Sequence, residues 1–119
     1  MKYMLSFIEE GSPDQVPEAK RNETYARIGE WWTDLAQKGK ITEGHQLQPP
    51  HTATTVKVNG GKAVVTDGPF SESKETVGGF GIVNVANLDE AIAIAKTWPG
   101  VGVFNRKVEI RPVIEREGM

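Results

Sequence analysis

The sequence predicts an α+β domain of the ferredoxin-like kind: one antiparallel sheet made from two split β-α-β units, with a β-hairpin inserted between them. Three observations carry this. Four runs, 3–8, 41–47, 77–85 and 106–113, have strand length and strand composition. Two stretches, one entering at Pro17 and one at Asn87, space their apolar residues at helical period. Between the second and third runs, 53–58 and 62–66 alternate cleanly around Asn59-Gly60-Gly61, the chemistry of a hairpin turn.

Taken in order, residues 3–8 are apolar on both alternating faces apart from Ser6, as expected of a central strand. Ser12-Pro13-Asp14-Gln15 has the form of a capping box, but Pro17 would clash inside a helix begun there. The expectation is one loose turn at 13–16 and a main helix entering at Pro17 or just after. Tyr25, Ile28, Trp32 and Leu35, flanked by Trp31 and Ala36, form its apolar stripe, and Gly39 stops it. Trp32 is read as packing on the sheet. Trp31 lies about 100° round the helix, where it would reach a cleft rim or a partner chain. Pro49-Pro50 stops the second strand. Gly78, Gly79 and Gly81 weaken the third strand and point to a bulge, close approach by another backbone, or open space beside it. Asn87 and Glu90 make a second capping box, with Leu88, Ile92, Ala95 and Trp98 as the expected buried side of that helix. Val108 and Ile110 point inward on the last strand, and both crossovers should be right-handed.

The totals bound the rest. A chain of 119 residues, 38% hydrophobic and 25% charged, suits one domain, 1–119, that buries its own core. With no cysteine there is no disulfide framework and no thiolate zinc site, which makes a cytoplasmic protein the expectation. Net charge is -2 and Lys/Arg residues never cluster beyond adjacent pairs, which argues against nucleic acid as a partner. The apolar start is too short for a membrane span or a signal sequence. Two His residues and scattered carboxylates have no metal-ligand spacing, so neither a metal nor another cofactor is expected. With helices on one face only and apolar residues on both, the open face needs a cover, and a second copy across a two-fold axis is expected: a homodimer.

Chemistry concentrates in Thr66-Asp67-Gly68-Pro69-Phe70-Ser71-Glu72-Ser73-Lys74-Glu75. Asp, Gly and Pro in succession set a turn; Phe70 adds an apolar anchor; hydroxyl and ionisable side chains follow. Asp67 is the candidate proton-transfer carboxylate, weighed against a plain Asx-turn aspartate that bonds nearby amides. His45, near the end of the second strand, is the candidate imidazole partner, weighed against a solvated edge-strand histidine. Phe70, Ser71, Glu72, Lys74 and, from the first helix, Trp31 are candidate ligand contacts, with Lys74 suited to orienting an anion. There is no phosphate loop and no nucleophile elbow.

Residues 67–75 closely resemble the signature of the DGPF proteins in the YCII-related superfamily. Met1-Lys2-Tyr3-Met4-Leu5, Leu47-Gln48-Pro49-Pro50 with Thr52-Ala53-Thr54-Thr55-Val56, Val77-Gly78-Gly79-Phe80, Leu88-Asp89-Glu90-Ala91 and Glu109-Ile110-Arg111-Pro112-Val113 match its other landmarks in order. The resemblance implies a dimeric α/β-barrel or ferredoxin-like fold. It also implies a His-Asp pair of the type discussed for the superfamily, one branch of which resembles a dehydrochlorinase of chlorinated hydroxyquinols. Some DGPF proteins are encoded beside, or fused to, alternative sigma factors.

Three functional readings follow. The first is a homodimer that binds a small organic molecule in a cleft beside the Asp67 loop, with cofactor-independent lyase, isomerase or dehalogenase-like proton transfer if it turns the molecule over. The second is a non-catalytic ligand-sensing or regulatory module accessory to transcription. The third is a structural dimer whose motif only holds the fold.

Overall fold

The computed structural model describes residues 1–10, 15–69, 75–103 and 106–116. Its elements are β1 (Lys2–Glu10), α1 (Glu18–Gln37), β2 (Ile41–Gln46), β3 (Thr54–Asn59), β4 (Lys62–Asp67), β5 (Glu75–Asn84), α2 (Leu88–Lys96) and β6 (Arg106–Pro112). Four strands form one sheet in the order β2-β5-β1-β6, every neighbouring pair antiparallel. Each unit opens with a central strand, β1 or β5, and closes with an edge strand, so each β-α-β unit is split by a strand of the other. This is the ferredoxin-like arrangement that the pattern predicts. The inserted β3–β4 hairpin forms a separate two-stranded sheet.

Alternation along β1 decides which face the helices cover. Tyr3, Leu5 and Phe7 are buried together with Val83 and Val85, Ile41, Leu35 of α1, Ala91 and Ala95 of α2, and Trp98 just beyond it. Val108 and Ile110 pack against this cluster from β6, as expected. Each fully buried aliphatic side chain here, such as Leu5 or Val83, stabilises the fold by about 1.5–3 kcal/mol.

The α1 helix starts after Pro17, whose extended backbone cannot join it. Its two adjacent tryptophans take different places. Trp31 donates its indole N–H to Thr97 Oγ1 at 2.8 Å and meets Phe7 edge-on, so it ties α1 to the end of α2. Trp32 lies against the sheet where β2 and β5 pair Gly44 with Gly81. A Cβ on Gly81 would stand 2.8 Å from the Trp32 Cη2, and one on Gly44 would meet the same ring and the Phe80 carbonyl at 2.7 Å. Two glycines facing each other across the strands make the slot that this indole fills. The expected open space at Gly81 is therefore occupied by a side chain of the same chain.

At α2, Asn87 Oδ1 accepts from the Glu90 N–H at 3.0 Å, and Glu90 Oε2 accepts from the Ala86 N–H at 2.8 Å. Bonds from Lys40 and from that amide hold the Glu90 carboxyl below its ordinary value. Leu88 departs from expectation: it is 46% exposed. The α2 residues in or against the core are Ala91, Ile94 and Ala95, with Ile94 in place of the expected Ile92, and the two alanines let the helix lie close to the sheet. The hairpin turn also shifts by a residue. Asn59 pairs with Lys62, so Gly60 and Gly61, at φ 60° and 80°, are its two central residues. No helix among the described residues is long and apolar enough to cross a membrane.

Candidate ligand site

Between α1 and one end of the sheet, with residues of all four strands in its lining, lies a cavity of about 690 Å³. Phe7, Tyr25, Ile28, Trp32 and Trp98 supply its apolar walls; Gln46 and Arg106 supply side-chain polarity. Phe7 is the hub of the aromatic cluster, with ring centroids 4.5 Å from Trp98 and 5.8 Å from Trp32. Such clusters bind flat ligands through dispersion and edge-to-face contact.

Register builds the polar end. Glu9 on β1 pairs directly with Arg106 on β6, and their side chains form an ion pair of 2.6 Å, only 18% and 10% exposed. The β1–β5 register shifts between Phe7 and Ile8, at the level of Gly78. A Cβ on Gly78 would sit 2.8 Å from the Glu9 carboxylate, so the missing side chain is what admits that carboxylate. The Arg106 guanidinium carbon is 5.9 Å from the Trp98 ring centre, within cation–π range. Trp98 Nε1 is buried beside this pair and, among the described residues, has no hydrogen-bond partner. The result is an aromatic pocket with one fixed, internally compensated charge pair at its end.

A second cavity of about 670 Å³ opens beside the Asp67-Gly68-Pro69 segment, where a cleft was expected. Ile8, Thr76 and Val77 of the sheet face Pro49, Pro50, Thr54, Thr55 and Pro69 across it. The segment is anchored: Gly68 N–H donates to the Ala53 carbonyl at 2.7 Å, and Thr55 Oγ1 donates to the Gly68 carbonyl at 2.8 Å. Glu75 is the ionisable residue of this wall, and it is paired with Lys107.

The residues singled out from sequence fall in different places. Asp67 ends β4 opposite Thr54, is exposed, and lines neither cavity. His45 pairs with Phe80, and their rings lie 6.0 Å apart at 58°. Since Gly44 turns toward Trp32, alternation sends the His45 ring to the other face of the sheet; it borders the first cavity by its main chain. No hydrogen bond joins His45 to Asp67 among the described residues, and the two sit on separate sheets. Trp31 is part of the helix layer and is not among the residues lining either cavity. Phe70, Ser71, Glu72 and Lys74 lie outside the described residues, as do Ser12, Pro13 and Asp14 of the expected first turn. Among the described residues, no group of three or more His, Cys, Asp or Glu could hold a metal ion. Sequence reading missed Glu9, Tyr25, Trp98 and Arg106 as site residues. The available signal was faint: opposite charges at the ends of two strands that only the pairing register brings together.

The fold and cavity define a class: a ferredoxin-like α+β domain that keeps an aromatic pocket between its helices and one end of its sheet. The chain belongs to the YCII-related domain family, whose model matches residues 1–116. An uncharacterized protein of Rhizobium meliloti (strain 1021) is 34% identical over 77 residues. That match takes in 65% of this chain and 62% of the relative, less than two thirds of the relative's length. Among solved structures, the chain is similar to 5-chloro-2-hydroxyhydroquinone dehydrochlorinase from Burkholderia phenoliruptrix AC1100, in complex with 2,5-dihydroxybenzoquinone. The TM-score is 0.54 at 16% identity, covering 98% of this chain and 97% of that one. A likeness at this identity is one of fold.

Proposed function

We propose that this chain is a cytoplasmic small-molecule-binding protein whose ligand is a planar, oxygen-bearing aromatic or quinonoid compound seated in the helix-side cavity. One observation carries the reading: a pocket of about 690 Å³ in which aromatic walls converge on Arg106, whose partly buried side chain is ion-paired with Glu9. That volume is ordinary for small-ligand sites, and a few fixed polar groups in an apolar lining are how such sites orient what they hold. The fold it shares with a dehydrochlorinase solved with a quinone supports the ligand class.

The working unit is a homodimer joined through the open face of the sheet, where Met4, Ile8, Phe80 and Ile82 alternate with the core residues and no helix covers them. Turnover by proton transfer, with Asp67 as base and His45 assisting, is the second reading; it draws on the reaction of the fold relative. The exposed Asp67 and the outward His45 ring favour binding alone.

Isothermal titration with 2,5-dihydroxybenzoquinone tests the binding. Wild type should release saturable heat, and Gln46→Trp, which narrows the pocket at an exposed lining position, should weaken binding at least about tenfold, or ~1.4 kcal/mol. No heat from wild type, or equal affinity in the variant, would overturn the reading.

A further inference from the structure

The β3–β4 hairpin carries an apolar ribbon that none of the described residues covers. Val56 pairs with Val65 and Val58 with Ala63, which puts these four on one face of the ribbon. Val56, Val58 and Val65 are 64%, 75% and 63% exposed, and no hairpin residue joins the hydrophobic core. A lone two-stranded ribbon is marginal in water, and one that exposes three branched side chains in a row asks for a cover.

The shape of the whole chain indicates how large that cover is. Its extents are 48 × 46 × 20 Å and its radius of gyration is 16.3 Å, against about 13.5 Å for a compact domain of this length. Its accessible surface is 8305 Å², against about 6,400 Å² for a monomer of its mass. The excess, about 1,900 Å², exceeds the roughly 800 Å² per partner of a standard stable interface. The cavity beside Pro69 runs from Ile8 and Val77 on the open sheet face to Thr54 and Thr55 at the base of the hairpin, linking that face to the arm.

We propose that the hairpin is an exchange arm: its Val56, Val58 and Val65 face docks on a second copy of this chain, reciprocally across the two-fold axis. This rests on the homodimer reading above and adds to it, because the arm extends the interface beyond the sheet face and caps the cavity beside Pro69. A flat protomer with a projecting apolar arm is thereby converted into a closed assembly. Self-association is preferred over a different partner because the open face and the arm are continuous on one protomer, so one two-fold operation covers both.

The test is sedimentation velocity on wild type and on the double variant Val56→Lys/Val65→Glu. The two substitutions fall on directly paired residues, so the new charges attract across the ribbon and keep the hairpin itself intact while removing its apolar face. Wild type should sediment as a dimer at micromolar concentration, and the variant should dissociate roughly 100-fold more readily with unchanged circular dichroism. Val58→Thr, which keeps side-chain shape and strand preference, should weaken the dimer several-fold and serves if the double variant fails to fold. A wild-type dimer whose variants dimerise as tightly would overturn the arm and leave the sheet-face dimer standing. A monomeric wild type would overturn both and leave the ribbon to a different protein.

Discussion

Replacing Gly44 by valine is expected to cost about 3–5 kcal/mol of folding stability and to strip the Trp32 signal from the near-ultraviolet circular dichroism spectrum. Gly44 faces Gly81 across β2 and β5, and the Trp32 ring occupies the slot between them. A Cβ there meets the indole on one side and the Phe80 carbonyl, at 2.7 Å, on the other. The carbonyl belongs to a central strand and cannot yield without breaking the β2–β5 ladder, so the ring must leave. Overpacking alone costs about 1–3 kcal/mol, and emptying a tryptophan site adds to it. Urea denaturation gives the number. Placing the same substitution in a Trp32→Ala background should recover a large part of the cost, since the two residues contend for one volume. Equal costs in both backgrounds would mean that the slot is not what holds Trp32.

Phe7→Ala is the second large effect, with about 3–5 kcal/mol of stability lost. Phe7 is 5% exposed and stands between Trp98, Trp32 and Trp31, so its removal leaves a void that three large rings cannot readily collapse into. For a small domain whose total stability is typically about 5–15 kcal/mol, that approaches the margin of folding. The same side chain lines the ligand cavity, so a destabilised but folded Phe7→Ala protein should also bind the planar probe more weakly. Phe7→Leu keeps much of the volume and removes the π face. Stability should then return while ligand affinity does not, and calorimetry beside urea titration separates the two.

Much of the fold was readable in the chain because each element is locally consistent. The alternation in residues 3–8 assigns Tyr3, Leu5 and Phe7 to one face, and that is the face the helices cover. The Asn87–Glu90 cap marks the start of α2. Where reading failed, the deciding fact lay across strands. Leu88 has the spacing of a core residue, yet it is exposed, and Ala91 and Ala95 are the α2 residues buried in the core. Of the three outcomes that the β5 glycines left open, the register shift falls at Gly78 and a neighbouring backbone, the His45 carbonyl, stands close to Gly79, while the space at Gly81 belongs to Trp32.

The site was less legible for the same reason. Asp67 and its neighbours drew attention by density of chemistry, but the hairpin insertion puts Asp67 on the second sheet. Glu9 and Arg106 are nearly a hundred residues apart and look like ordinary strand-end charges until β1 and β6 pair. A motif confined to one segment can be seen in sequence. A site assembled by register cannot.

The central claim is that the helix-side aromatic cavity is the ligand site, and the three tryptophans of the chain allow a direct reading of it. The indole N–H resonances should be followed by two-dimensional NMR during titration with the planar probe. Trp32 and Trp98, which line the cavity, should shift together and saturably, and Trp31, held by Thr97, should move least. Shifts confined to Thr54, Thr55 and Val77 around the other cavity, with both lining tryptophans still, would contradict the account.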